Sequence, residues 1–313
     1  MTDLTLANEA LIRMAIFLGI LLAMALWEVA APRRRREIPR LLRWSNNLGV
    51  VVIDTLLVRL TFPIVAVGLA LVAQERGWGL FNVFDVPAWI AFLVSVLALD
   101  LAIYLQHVMF HAVPALWRLH RMHHADLEFD VTTGLRFHPV EILLSMGIKL
   151  AVVAALGPPA VAVLVFEVLL NATAMFNHSN IRIPWAIDRV LRLFVVTPDM
   201  HRVHHSIHPS ETNSNFGFNL PWWDRLLGTY RPQPRDGHEA MTIGIDSSEP
   251  AATCGSTVCW SSQHSARPAA TRSIARSRRR SSERPATSAA PSASRRRGRG
   301  YPLGGAQPRP AGP

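Results

Sequence analysis

The chain has 313 residues, half of them hydrophobic, and a formal charge of +10. All of that excess lies in residues 247–313, which carry twelve arginines against two carboxylates, so the balanced remainder gives no argument for nucleic-acid binding and no nucleic-acid partner is expected. Both cysteines, Cys254 and Cys259, also lie there, which excludes a disulfide framework or a cysteine-based zinc site from the body of the chain.

Residues 11–30 form an apolar run with Arg13 near its start and Glu28 near its end. Its length is the ~20 residues a helix needs to cross a bilayer. No small-residue cleavage site precedes Arg33-Arg34-Arg35-Arg36, so it reads as a span and not as a signal peptide. Residues 48–73 are a second apolar run, interrupted by Asp54 and Arg59, for which an internal pair or snorkelling is a sufficient account. Residues 87–109 are a third, with Asp100 inside it. A fourth region, 140–174, is divided by Gly157-Pro158-Pro159 into pieces of roughly 17 and 15 residues, which predicts a helical hairpin dipping into or just crossing the bilayer.

Arg33 to Arg36, Arg40 and Arg43 follow the first span, whereas residues 1–10 hold no Lys or Arg. The positive-inside rule then puts that loop in the cytoplasm. Counting spans from there brings the end of the third, with His107 and His111, and both ends of the hairpin to the same side.

That side collects the histidines. Of thirteen in the chain, eleven fall between His107 and His208. His107 and His111 are four apart on a continuing helix and share a face. His120, His123 and His124 repeat at i, i+3 and i+4, and so do His201, His204 and His205; His138 and His178 stand singly in FHP and NHS. Each buried imidazole needs hydrogen-bond partners, and metal binding satisfies many at once. Ten imidazoles exceed the four ligands of one tetrahedral zinc, which implies two metals. Nitrogen ligands suit Zn, Cu, Fe or Ni, and spacing does not choose among them.

The motifs HVMFH, HRMHH and HRVHH, with LRFHPVE, FNHSN, TPDMHRVHHS and NFGFNLPWWDRLLGTY around them, resemble the fatty acid hydroxylase (sterol desaturase) superfamily, and the chain is similar to a bacterial member of it over residues 46–231. The resemblance implies an integral-membrane oxygenase with two iron ions, which zinc can occupy adventitiously. Such enzymes use dioxygen and a separate electron-transfer protein of ferredoxin or cytochrome type to hydroxylate or desaturate a lipid. It implies His107, His111, His120, His123, His124, His201, His204 and His205 as metal ligands, completed by His138 and His178. His208 has no counterpart there. Asp126, Asp199 and Asn177 are candidates for orienting a ligand imidazole through its distal N–H, with capping or solvated roles as the alternative, and Asn180 shares that ambiguity. Trp117, Phe129 and Phe137 are candidates for lining a lipid path, and Trp222-Trp223-Asp224-Arg225 for packing over the metal domain.

The expected fold is all-α. Three to four transmembrane helices and a re-entrant or short helical hairpin carry a cytosolic helical cap around a dimetal site, in a multi-pass protein of the bacterial plasma membrane. The expected organisation is a first span with its basic loop over 1–45, a catalytic membrane domain over 46–246, and a disordered Arg/Ser/Pro/Ala-rich tail over 247–313. A shifted reading frame or a basic arm for anionic headgroups would each leave such a tail. Two other functions compete. A membrane zinc hydrolase lacks its H-E-x-x-H motif here. A metal transporter or store would hold its ligands near the bilayer midplane.

Overall fold

The computed structural model of the chain describes Leu6 and residues 8–245. The expected tail and both cysteines lie outside the described residues. Among the described residues the regular elements are helical, with two isolated bridges, Pro32 to Ile181 and Ser206 to Ile243, and no strand. The fold is all-α, as the sequence predicts.

Five segments are long and apolar enough to cross a membrane. The first is α1 (Glu9–Ala30). The second apolar run is not one helix. It divides into α2 (Arg40–Thr61) and α3 (Ala66–Arg76), because Phe62 precedes Pro63 and the proline ring pushes its predecessor out of the helical region, here to φ −113° and ψ 105°. A short turn, α4 (Leu80–Val83), leads to α5 (Ala88–Ala112). The hairpin consists of α7 (Pro139–Leu156) and α8 (Ala160–Asn177), preceded by α6 (Pro114–His124). Its arms are 18 residues each, longer than the apolar pattern alone suggests and sufficient for full spans. Gly157 makes the corner at φ 60°, a left-handed conformation that a glycine adopts without strain, and its carbonyl accepts from Asn82 Nδ2 at 3.2 Å. That contact brings α4 to the end of the bundle remote from the histidines.

The core between spans is built from small and branched side chains. Ala66, Val67 and Ala70 of α3 pack with Leu99 and Ile103 of α5, Val153 of α7 and Val163 of α8. Alanines at such contacts let helix backbones approach closely where lipid supplies no hydrophobic driving force. Polar ties reinforce the packing: Glu167 of α8 takes Lys149 Nζ of α7 at 2.7 Å and also pairs with Arg13 of α1. Asp54 and Arg59 face apart on α2, the first buried and the second exposed.

The basic stretch after α1 is folded onto the histidine end of the bundle. Glu28 Oε1 accepts from the backbone of Val131 (2.7 Å) and Asn180 (2.9 Å), while Oε2 takes Arg36 (3.1 Å) and Arg40 (3.3 Å). Arg43 is buried between Asp126 (2.6 Å) and Asp130. Arg33 reaches Asp199 at 3.2 Å. The remaining short helices are α9 (Trp185–Leu191), α10 (Pro198–His204), α11 (Pro209–Thr212), α12 (Trp222–Leu226) and α13 (Gly237–Ala240).

Candidate metal centre

Four helices bring the rings together. α5 delivers His107 and His111, α6 delivers His120, His123 and His124, the C-terminus of α8 delivers His178, and α10 with its cap delivers His201, His204 and His205. Helical spacing does this locally: positions three and four apart on α6 and α10 point one way. A proline opens each of these two helices, Pro114 and Pro198, at a position where its missing N–H costs nothing. The approach of the 133–135 turn to α8 requires Gly134, where a Cβ would collide with the Ala174 carbonyl and come within 2.9 Å of His178 Nδ1.

The nine rings form two groups. One is His107, His111, His120, His124 and His204; the other is His123, His178, His201 and His205. Within each, one nitrogen per residue lies within 4.8 Å of every other, and all nine residues are buried. The tenth expected ligand, His138, joins neither group. It caps α7 instead, its Nδ1 accepting from Val140 N at 3.1 Å. His208 sits at the edge with Asp236, 3.0 Å away.

Outer partners fix the rings. Nδ1 of His107 lies 2.7 Å from Phe216 O, that of His123 3.1 Å from Arg136 O, that of His178 2.8 Å from Ala174 O and that of His204 2.7 Å from Ser214 O. His120 Nδ1 faces Glu141 Oε1 at 2.7 Å, and His111 Nδ1 faces Asn213 Oδ1 at 3.3 Å. Each of these oxygens accepts, so the ring proton resides on Nδ1 and Nε2 presents a lone pair to the interior.

Interior Nε2 atoms lie close together, and in the pairs His107–His120 and His123–His178 both present lone pairs. His107 Nε2 and His120 Nε2 are 3.1 Å apart; His178 Nε2 is 3.1 Å from His123, 3.1 Å from His201 and 3.2 Å from His205. Nitrogens bound tetrahedrally at about 2.0–2.1 Å from one ion would stand about 3.3–3.4 Å apart, close to this spacing. Further buried ring nitrogens have no hydrogen-bond partner, among them His111 Nε2, His204 Nε2 and both nitrogens of His124. A cation in each group would satisfy these atoms together, and an all-imidazole donor set suits a first-row transition metal. The two groups can hold metal.

Burial also sets the protonation state. His178 is pushed down to about 3 by burial, and His123, His124, His201, His204 and His205 lie well below the ordinary value, through burial first and neighbouring rings second. Neutral imidazole is the form that ligates.

Aromatic side chains close the site. Phe137 stacks on His123 (4.5 Å, 8°), Phe129 lies against His178 (5.4 Å), and Trp117 is beside His111 (4.8 Å). The guanidinium of fully buried Arg202 covers Phe129 from behind at 5.1 Å and bonds Asp199.

The carboxylates proposed to orient ligands lie elsewhere. Asp126 is taken up by Arg43 and Thr133, and Asp199 by Arg33 and Arg202; neither bonds a ring of the two groups. Asn177 donates to Phe218 O at 3.0 Å, and Asn180 bonds the backbone of Arg34. The acid that does hold a ring is Glu141, which sequence reasoning passed over. Its signal was available: the lone carboxylate of a largely apolar helix, in its first turn and three residues after His138. Residues 213–216 were missed for a different reason, since two of their three contacts use backbone oxygen.

A fatty acid hydroxylase family profile matches residues 92–229, which contain all nine rings. The chain is 32% identical to an ornithine lipid hydroxylase of Rhizobium tropici over 47% of its own length and 43% of the relative's. It is 26% identical to an alkylglycerol monooxygenase of Xenopus tropicalis over 55% and 38%, and 30% identical to human cholesterol 25-hydroxylase over 44% and 50%. The chain thus spans half or less of the length of these relatives. No solved structure matches it.

Proposed function

We propose that the chain, whose residues 92–229 match a fatty acid hydroxylase family profile, is a membrane-bound lipid hydroxylase of that family whose two histidine groups each hold an iron ion. It takes dioxygen and receives electrons from a separate redox protein. The observation that carries the reading is the pair of buried all-histidine groups, with ring nitrogens that face one another without protons between them. The chemistry that two irons supply when bound is the activation of dioxygen toward an unactivated C–H bond, which no side chain achieves.

The protein's own contribution is positional. His107, His111, His120, His124 and His204 would hold one ion, and His123, His178, His201 and His205 the other. Carbonyl and carboxylate partners at Nδ1 keep the rings in the ligating tautomer and raise their basicity. Phe129, Phe137 and Phe216 exclude water, so that a reactive centre acts on the lipid and not on solvent. The substrate is a lipid presented from the bilayer, of the sterol, fatty acyl or ether-lipid type, and hydroxylation is the reaction that the relatives' names support. The histidine end faces the cytoplasm of the bacterial plasma membrane, since Arg33, Arg36, Arg40 and Arg43 are bonded onto that same end.

The test is lipid analysis of host cells that express the chain, beside cells that express His204→Ala. A lipid species heavier by one oxygen atom in the first and missing in the second is the expected result. Identical lipid profiles under iron-replete, aerobic conditions would count against the proposal.

A further inference from the structure

Residues 213–216 supply oxygens to three rings: Asn213 to His111, Ser214 to His204 and Phe216 to His107. The chain that follows does not turn away from the spans. Phe218 O accepts from Asn177, Asn219 bonds Thr173, Trp223 Nε1 donates to Asp100 Oδ2 at 2.8 Å, and Thr229 Oγ1 meets Tyr104 Oη at 2.8 Å. Asp100 is the middle residue of the 25-residue α5. It lies seven residues before His107, about 10 Å further down the helix, away from the rings. The α12 turn is therefore bonded at a level where α5 is an apolar, membrane-crossing helix.

The outer side of this turn is largely apolar and uncovered among the described residues; Arg225, also exposed, turns its guanidinium back to Arg192 O at 2.7 Å. Trp222, Leu226 and Leu227 are 41%, 74% and 47% exposed. The Trp222 indole N–H donates to Leu193 O at 2.7 Å at the surface, which joins the patch to exposed Leu193 and Phe194 just after α9. A half-exposed tryptophan whose indole N–H is already satisfied by protein suits a bilayer interface. A patch of this kind marks an interaction surface, and α5, to which the turn is bonded at Asp100, itself exposes Leu93 and Leu97 within the two turns before that residue.

We infer that residues 213–227 are a bilayer-inserted wall of the histidine centre, with the acyl chains of the surrounding leaflet covering Trp222, Leu226 and Leu227. The same short segment then touches lipid on one side and the rings on the other, where Phe218 lies 5.1 Å from His107. Lipid comes within one peptide layer of the centre. The inference takes only the bilayer from the proposed function, so it stands or falls independently of the chemistry.

The test is nitroxide labelling of the full chain carrying Cys254→Ser and Cys259→Ser, reconstituted in phosphatidylcholine–phosphatidylglycerol vesicles. Separate labels are placed through Leu226→Cys and Leu227→Cys, with Leu22→Cys on the lipid-facing side of α1 and Arg235→Cys on the exposed histidine end as references. Broadening by oxygen, which partitions into lipid, is compared with broadening by a water-soluble nickel chelate. The expected result is that positions 226 and 227 follow position 22, with a several-fold preference for oxygen relative to position 235. Positions 226 and 227 behaving as 235 does would overturn the inference. Protection from both reagents would overturn it too, because protein and not lipid would then cover the patch.

Discussion

His123 and His178 face each other Nε2 to Nε2 across 3.1 Å, with both Nδ1 hydrogens already given to the carbonyls of Arg136 and Ala174. No proton is left to bridge them, so the pair needs a cation. Without one, the centre should be sensitive to acid. Burial holds His178 at about 3 and five neighbours well below the ordinary value, while the unfolded chain takes up protons below about 6.5. Stability is therefore present above that value and is lost as pH falls toward the folded-state values. Each such ring contributes up to about 1.4 kcal/mol per pH unit. Metal-stripped protein in detergent should melt at a sharply lower temperature at about pH 5.5 than at about pH 7.5. A flat profile would mean that the rings are not neutral when buried.

Glu141 should matter to metal retention more than to folding. Its Oε1 holds His120 Nδ1 at 2.7 Å, and both groups are buried. Removing an outer partner of this kind typically costs ten- to a hundredfold in metal affinity. Glu141→Ala should show a loss of about that size in competition with a chelator, while its helical circular dichroism stays that of the parent chain. Equal affinity would assign Glu141 a structural task only.

Substituting His138 and His178 separates the two kinds of histidine. His138→Asn keeps an acceptor for Val140 N and should retain the parent metal content. His178→Ala removes the ring that three others meet at 3.1–3.2 Å and should lose one metal of two. Elemental analysis of both variants decides this; loss of metal in His138→Asn would restore it to the ligand set.

Arg43 is the buried cation of the clamp beneath the centre, set between Asp126 and Asp130. Arg43→Ala leaves two buried carboxylates without their partner, and breaking such a pair costs about 3–5 kcal/mol. A large fall in melting temperature is expected, whereas Arg182→Ala, at an exposed pair, should change it little.

Much of this centre was legible in the sequence because helical periodicity is a local rule. The i, i+3, i+4 spacing of His120, His123 and His124 places three rings on one face wherever α6 goes, and span counting brings the motifs to one end. What stayed hidden depends on distant chain. The kink before Pro63 is a local signal that hydropathy averages away. Asp126 and Asp199 stand beside ligands in sequence, but long-range contacts with Arg43 and Arg33 claim their side chains. His138 belongs to the motif yet caps a helix. Ser214 and Phe216 act through carbonyls, which residue type does not encode. Only tertiary placement distinguishes these cases.

The central claim is that the two histidine groups each bind one metal ion. Its most direct measurement is the metal content of the full chain purified in detergent from iron-supplied cells, beside His204→Ala and His178→Ala. Two irons per chain, falling toward one in each variant, is the predicted result. No stoichiometric metal in a folded parent chain would contradict the account.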